Sequence, residues 1–208
     1  SVCILEGDDP QQLKGVIFDL DDTIYSEKQY VRSGYKKIGE YLGREDAVEK
    51  LWRYFELGKQ AIDAYLSEIG EEDKKAECLK IYREQMPEIT LYEGVVEMIE
   101  DLKAKGVKVG IITDGRPEGQ RNKIEALGLD SLIDDIIVTD ELGGPQFRKP
   151  CDIAFRIMQN RWRLPYEQLV YVGDNPNKDF QACRQLGMRW KYFRNEDGLY
   201  SHNDTQGG

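Results

Sequence analysis

The 208-residue sequence predicts an α/β fold, a doubly wound and mostly parallel sheet with a small helical insert. Short apolar runs typical of buried strands alternate with helical patterns in residues 14–24 and 91–194. Three of these helical patterns end at a glycine, which is the usual C-terminal signal of a helix. Residues 27–90 differ, because they are polar, rich in Glu and Lys, and carry apolar residues at helical spacing.

The α/β part is predicted to contain five strands, of which the first covers residues 16–18. The later strands are predicted at residues 107–113, 136–139, 169–173 and 190–193. Helices that end before a glycine are predicted at residues 95–105, 120–127 and 179–186. Because strands that alternate with helices form a parallel sheet covered on both faces, residues 13–25 and 91–195 are assigned to one core.

Residues 26–90 are predicted to form a small bundle of helices inserted after the first strand. Apolar side chains recur there at helical spacing, for example at Val31, Tyr35, Ile38 and Leu42. The stretch carries no strand pattern, and Pro87 ends its last helix. Residues 1–12 and 196–208 are assigned as tails.

The composition indicates a soluble globular protein, with 40% apolar and 33% charged residues. A formal net charge of −10 argues against a nucleic acid or an anionic membrane as partner. No segment approaches the ~20 apolar residues of a membrane span. A small anionic ligand stays compatible with this charge, because a bound metal ion or a lysine can reverse the local field.

The four cysteines indicate free thiols in a reducing cytoplasm, which is the predicted location. They show no CxxC pairing, and with His202 as the single histidine no zinc site is expected. The cysteines are Cys3, Cys78, Cys151 and Cys183. The chain begins with Ser1, so we expect either a processed chain or a domain of a longer polypeptide.

Two acids two residues apart follow the first predicted strand, in Phe18-Asp19-Leu20-Asp21-Asp22-Thr23. Alternate side chains of extended backbone face the same way, so Asp19 and Asp21 can address one bound group. At about 4 Å two like charges repel by roughly 4 kcal/mol at an effective dielectric constant near 20. The pair therefore indicates a bound cation, or a nucleophile beside a proton carrier. An acidic turn is the alternative, whereas Ile24 excludes an EF-hand, which needs Gly there.

Polar residues also collect at later strand ends and loops, where open α/β sheets bind ligands. Thr113-Asp114-Gly115 offers a hydroxyl and free amides to an anion, although such a triplet is also ordinary turn chemistry. Asp174 lies at the tip of the fourth predicted strand. Asp179 lies near the start of the next helix, where an acid also balances the helix dipole. Lys149 precedes another helix in a basic loop, a position that is usually just solvated.

Together these residues resemble the haloacid dehalogenase superfamily of phosphohydrolases, whose four motifs occur in the same order. Asp19-Leu20-Asp21-Asp22-Thr23 is similar to the family's DxDxT motif, and Thr113 is similar to the second motif. Lys149 matches the third motif, and Gly173-Asp174 with Asp179 matches the GDxxxxD form of the fourth. One such motif is weak, but four in order, each at a predicted strand end or loop, are specific.

The resemblance implies a Rossmann-like α/β core and covers residues 14–194. The helical insert between the first two motifs is similar to the C1 cap of that superfamily. The triplet that begins at Thr113, followed by Gln120 and Lys123, is similar to a subgroup rich in nucleotidases and sugar-phosphate phosphatases. That subgroup often has Asn at the position of Asp114, so this chain adds a negative charge near the bound anion.

The resemblance also implies roles for individual residues and Mg²⁺ as cofactor. Asp19 is expected to attack phosphorus, and Asp21 to handle the proton. The other expected catalytic residues, which bind the phosphoryl oxygens, are Thr113 and Lys149. The expected metal ligands are Asp19, Asp174, Asp179 and, through its backbone carbonyl, Asp21. The expected substrate-binding residues are Thr113, Asp114, Gly115, Lys149 and Arg116, the last for a second anionic group.

The expected function is Mg²⁺-dependent hydrolysis of a small phosphate monoester, a phosphorylated metabolite. The presence of Asp21 supports this, because dehalogenases of the superfamily lack an acid at that position. A phosphotransferase or phosphomutase on the same scaffold and a non-catalytic binding or regulatory domain are the alternatives. Candidate substrate contacts near the first hinge, more often surface or packing residues, are Tyr25, Lys28, Tyr30 and Arg32.

Overall fold

The computed structural model describes residues 13–193, which contain a five-stranded parallel sheet. The strands are β1 Gly15–Phe18, β2 Lys108–Thr113, β3 Asp135–Val138, β4 Leu169–Gly173 and β5 Arg189–Tyr192. They lie in the order β3-β2-β1-β4-β5, and every neighbouring pair is parallel. The chain reverses its direction of winding beside β1, so ligands are expected beyond the carboxyl end of that strand. The predicted doubly wound α/β fold is confirmed.

Eight α-helices accompany the sheet in the part of the chain that the structure describes. Four follow β1 and precede the others, namely α1 Glu27–Leu42, α2 Ala47–Glu56, α3 Ala61–Ile69 and α4 Lys75–Glu84. The others are α5 Val95–Ala104, α6 Pro117–Ala126, α7 Ile153–Trp162 and α8 Pro176–Leu186. Within residues 13–193 no helix has both the length and the apolar character needed to cross a bilayer.

The sheet is covered by helices on both faces. On β1, Val16 and Phe18 pack into the apolar layer formed with α5 and α6, whereas Ile17 packs against α7 and α8. All three side chains are fully buried, as period-two alternation in a strand with two covered faces requires. This packing holds the carboxyl ends of the central strands in fixed positions.

The four helices α1 to α4 enclose an apolar cluster of their own, which includes Ile38, Leu51, Tyr65 and Cys78. This agrees with the helical periodicity of residues 27–90. The exact domain boundaries and the assignment of the helices as a C1 cap stay predictions.

Two helices begin three residues earlier than predicted. α6 begins at Pro117 rather than at residue 120, and α8 begins at Pro176 rather than at residue 179. A proline fits the first turn of a helix because its missing N–H has no partner there anyway. The predicted tails, including Cys3 and His202, lie outside the described residues.

Candidate active site

A polar cavity of about 260 Å³ lies beyond the carboxyl ends of β1, β2 and β4. Its walls come from the loops after these strands and from α1, α6 and α8. The lining residues are Asp19, Asp21, Glu27, Asp114, Gly115, Gln120, Lys123, Asp174, Asn175, Lys178 and Asp179. The volume lies below the roughly 300–1,000 Å³ of drug-sized ligand pockets, so the cavity suits a small ligand.

Asp19 directly follows β1 and continues its pairing with β4. Its backbone N–H donates to the carbonyl oxygen of Val172 at 2.9 Å. Its Oδ1 atom accepts from the backbone N–H of Leu20 at 2.9 Å and from Lys149 Nζ at 3.0 Å. Burial raises the pKa of Asp19 to about 7, although the Lys149 ammonium opposes this shift. Neighbouring carboxylates add to the effect of burial.

Asp19, Asp174 and Asp179 each offer a carboxylate oxygen within 4.8 Å of the others. Burial, followed by repulsion from Asp19 and Asp179, raises the pKa of Asp174 to about 9. Gly173 permits this crowding, because a Cβ atom there would lie 2.3 Å from Asp179 Oδ2. Three carboxylates this close repel one another when they are ionised. The group therefore fits a divalent cation such as Mg²⁺, which takes oxygen ligands and keeps several waters.

Lys149 is the buried cation of this acidic group. Its ammonium lies 3.0 Å from Asp19 Oδ1 and 3.4 Å from Asp179 Oδ1. It also donates to the backbone carbonyl of Ile112 at 3.1 Å and to the Tyr171 hydroxyl. Burial by itself lowers the pKa of Lys149, but the surrounding carboxylates outweigh burial and raise it. The lysine is therefore a fixed positive charge beside Asp19.

Asp21 has a different environment, although it lies only two residues from Asp19. Its Oδ1 atom accepts from the Tyr25 hydroxyl and from Lys123 Nζ at 2.9 Å, and its Oδ2 atom accepts from Gln120 Nε2 at 2.9 Å. Burial raises the pKa of Asp21, but the Lys123 ammonium and the three hydrogen bonds outweigh burial, so the net pKa is lowered. The side chain of Asp21 is not among the three clustered carboxylates.

Lys123 and Gln120 connect Asp21 to its surroundings. Lys123 is buried, and its ammonium lies 4.3 Å from the centre of the Tyr30 ring. Gln120 Nε2 also donates to Thr113 Oγ1 at 2.7 Å, which orients that hydroxyl. Asp22 has a backbone role, since its Oδ1 atom accepts from the N–H of Glu27 at the start of α1 at 2.9 Å.

Asp114 connects three segments of the site. Its Oδ1 atom accepts from the Thr139 hydroxyl at 2.7 Å and from the backbone N–H of Lys149 at 3.2 Å. Its Oδ2 atom pairs with Lys178 Nζ at 2.6 Å. Burial raises the pKa of Asp114, but the lysines and hydrogen bonds outweigh burial, so the net pKa is lowered. The charge that this chain carries in place of the usual Asn is thus paired within the protein.

The other predicted contacts are distributed unevenly around the cavity. Gly115 lines it, whereas Arg116 is exposed at the start of α6 and is not among the lining residues. Arg32 stacks on the Trp52 ring at 4.4 Å, and Lys28 is half-buried. Tyr25 and Tyr30 contact Asp21 and Lys123, as described above. The functional roles of all these residues stay predictions.

Sequence reasoning missed several residues of the site. Glu27 and Lys178 line the cavity but read as ordinary helix-surface residues. Tyr171 lies inside the apolar run of β4 and binds Lys149. The signal that could have identified Tyr171 is its hydroxyl, because a tyrosine in a fully buried strand needs a hydrogen-bond partner.

Comparisons with known proteins agree with this geometry. The family model "Haloacid dehalogenase-like hydrolase" matches residues 16–192. A "Glyceraldehyde 3-phosphate phosphatase" of Methanocaldococcus jannaschii is 31% identical over 210 residues, with 91% of each chain covered. A "Phosphoserine phosphatase" of Thermus thermophilus is 24% identical, with 85% of this chain and 87% of that protein covered.

A solved structure has the same fold. It is that of a haloacid dehalogenase superfamily hydrolase of subfamily IA from Geobacter sulfurreducens, with a TM-score of 0.66 and 19% identity. It covers 95% of this chain and 97% of its own. These relatives confirm the predicted enzyme class, which is that of the phosphatases. The chain belongs to the haloacid dehalogenase-like hydrolase family.

Proposed function

We propose that this chain hydrolyses a small phosphate monoester through an aspartyl-phosphate on Asp19, with Mg²⁺ as cofactor. The observation that carries the proposal is the contrast between Asp19 and Asp21. Asp19 lies beside a fixed ammonium and two further carboxylates, whereas Asp21 is held by three hydrogen-bond donors. Two carboxylates of one cavity that are held by such different partners suit a nucleophile and a proton carrier.

In the first half-reaction a carboxylate oxygen of Asp19 attacks phosphorus. The new oxygen–phosphorus bond forms as the ester bond breaks, and Asp21 gives its proton to the leaving oxygen. Lys149, Thr113 and backbone amides after β2 stabilise the charge on the transferring phosphoryl oxygens. Lys149 also favours the ionised form of Asp19, because its ammonium lies 3.0 Å from that carboxylate.

In the second half-reaction Asp21 takes a proton from a water molecule that attacks the phosphoryl group. The bond between phosphorus and Asp19 breaks, and inorganic phosphate leaves. The donors around Asp21 favour its ionised form, which is the form that accepts this proton. Asp21 is thus restored to the protonated state that the next cycle needs.

The implied cation would be held by the carboxylates of Asp19, Asp174 and Asp179. When bound, Mg²⁺ supplies the positive charge that lets a phosphate dianion enter an acidic cavity. The relatives named above act on three-carbon phosphate esters according to their names, glyceraldehyde 3-phosphate and phosphoserine. A cavity of about 260 Å³ is compatible with a substrate of that size.

The substitution Asp19→Asn tests the proposal. We expect the turnover of p-nitrophenyl phosphate to fall at least about 10,000-fold with an unchanged circular dichroism spectrum, because the amide cannot act as the nucleophile. Asp130→Asn removes an exposed carboxylate after α6 and is the matched control. In the unchanged enzyme, a chelator should abolish activity and added Mg²⁺ should restore it. Turnover by Asp19→Asn at the rate of the parent enzyme would contradict the proposal.

Two product analyses complete this experiment. Acid quenching of a reaction with phosphorus-labelled substrate should leave label on the protein that hydroxylamine removes, as expected of an acyl phosphate. Addition of an excess of glycerol separates hydrolysis from phosphoryl transfer, because a phosphotransferase would form glycerol phosphate in place of inorganic phosphate. We expect inorganic phosphate as the main product.

A further inference from the structure

The proposed mechanism uses neither Glu27 nor Asp114 among the carboxylates of the cavity, and Asp114 is paired with Lys178. Glu27 is the first residue of α1, and its backbone N–H is bound by Asp22. Its side chain is half-buried and lines the same cavity as Asp21. Within residues 13–193 its carboxylate accepts no hydrogen bond from another residue. It is therefore free to meet a ligand.

The lysines at this cavity are already engaged by acids. Lys123 lies 2.9 Å from Asp21 Oδ1, and Lys178 lies 2.6 Å from Asp114 Oδ2. The buried Lys149 belongs to Asp19 and Asp179. Arg116 is exposed and outside the lining. Among the described residues that line the cavity, no cation is left unpaired for a second anionic group of a substrate.

We propose that Glu27 determines the leaving group, selecting esters whose leaving group carries a hydroxyl over esters whose leaving group carries a carboxylate. This specificity rests on the proposed phosphatase function and names the substrate class of the same site. A hydroxyl donates a hydrogen bond to the free Glu27 carboxylate. A carboxylate at that position instead adds a like charge where the unpaired side chain is already an acid.

The electrostatics of the cavity support this direction. Burial first, and then repulsion from Asp21, raises the pKa of Glu27 to about 8. A negative charge on Glu27 is already unfavourable in this environment, and a carboxylate of the substrate would add a second unfavourable charge. Water screens such repulsion less in a partly buried cavity than in bulk solvent, because the effective dielectric constant there is lower.

A matched pair of substrates tests the inference. The two esters are 2-hydroxyethyl phosphate and phosphoglycolate, which differ in a terminal hydroxyl against a terminal carboxylate. We expect the parent enzyme to favour the hydroxyl ester in kcat/KM. At pH 9, above the pKa of Glu27, Glu27→Gln should lower the ratio of the two kcat/KM values about tenfold, because one like charge is removed. p-Nitrophenyl phosphate, assayed in parallel, reports whether each variant is an active phosphatase.

Two further variants separate charge from structure. Glu27→Asp keeps the charge, so this variant should still favour the hydroxyl ester in kcat/KM, as the parent enzyme does, even if its kcat falls. Glu40→Gln makes the same chemical change at an exposed position near the other end of α1, and its ratio should not move. Thermal unfolding by circular dichroism checks that each variant is folded.

The inference is overturned if the parent enzyme prefers phosphoglycolate, or if the Glu27→Gln ratio stays within twofold of the parent ratio. Failure of the parent enzyme on all three esters would instead refute the proposed function, so the two failures are distinguishable.

Discussion

The two sides of the cavity contain the same residue type in opposite environments. On the Asp19 side, three carboxylates lie together, and two of them, Asp19 and Asp179, share the buried ammonium of Lys149. On the Asp21 side, one carboxylate receives three hydrogen bonds, including one from its own lysine. Burial raises the pKa of Asp19 to about 7, whereas the donors lower the pKa of Asp21. The environment, and not the spacing of two residues, therefore separates the expected roles.

This difference has a physical consequence for what each side needs. The Asp19 side has an excess of negative charge, so its function depends on cations, both the fixed lysine and a bound metal ion. The Asp21 side is locally balanced, so its function depends on the positions of its donors. The effects of substitutions on the two sides should therefore differ in size and in how they depend on the substrate.

The largest effect is expected from Lys149→Met. This change leaves Asp19 and Asp179 without their shared cation and removes a donor to the phosphoryl oxygens, so kcat should fall at least about 1,000-fold on every phosphate ester. Steady-state kinetics measures this, with Lys105→Met at the exposed residue just after α5 as control. If Lys149→Met lowered kcat less than Lys123→Met does, the proposed order of the two effects would be wrong.

An intermediate effect is expected from Lys123→Met. Without this lysine Asp21 loses one of the three donors that fix its position, and kcat/KM should fall about 100-fold for an alkyl phosphate, whose leaving oxygen needs a correctly placed proton donor. The fall should be smaller for p-nitrophenyl phosphate, since nitrophenolate leaves without one. Equal losses on the two esters would show that Lys123 does not act through the proton carrier.

The smallest effect is expected from Asp114→Asn. Asparagine keeps the acceptor for Thr139 and for the Lys149 N–H, and it loses only the pair with the half-exposed Lys178. Unfolding free energy should change by less than about 1 kcal/mol. Asp114→Ala, which leaves buried donors without a partner, should cost about 1–3 kcal/mol. Urea unfolding compares the two variants, and an equal cost for both would contradict the proposed role of Oδ1.

The parts of the site that could be predicted are those that depend on local pattern. Asp19, Thr113 and Asp174 lie at or just beyond strand ends, and a short apolar run followed by polar residues identifies such positions. Helix starts were less predictable, because Pro117 and Pro176 belong to their helices although proline also ends helices.

The remaining contacts depend on residues far apart in the chain. Lys123 and Asp21 are 102 positions apart, and Lys149 and Tyr171 are 22 apart. A lysine at a helical position reads as solvated, and only the packing of α6 against the loop after β1 buries it. From the sequence, Glu27 is a favourable negative charge in the first turn of a helix, and the structure places it there. Its position at the cavity follows only from the tertiary fold.

The contact between Tyr30 and Lys123 has a consequence for protein engineering. The four helices α1 to α4 form a module that could be exchanged between relatives to transfer substrate preference. However, the first turns of α1 supply Tyr30, whose ring lies 4.3 Å from the lysine that holds Asp21. A chimera joined immediately after β1 would therefore replace part of the proposed catalytic site together with these helices. The graft point should lie beyond Tyr30, so that the recipient keeps its own first helical turns.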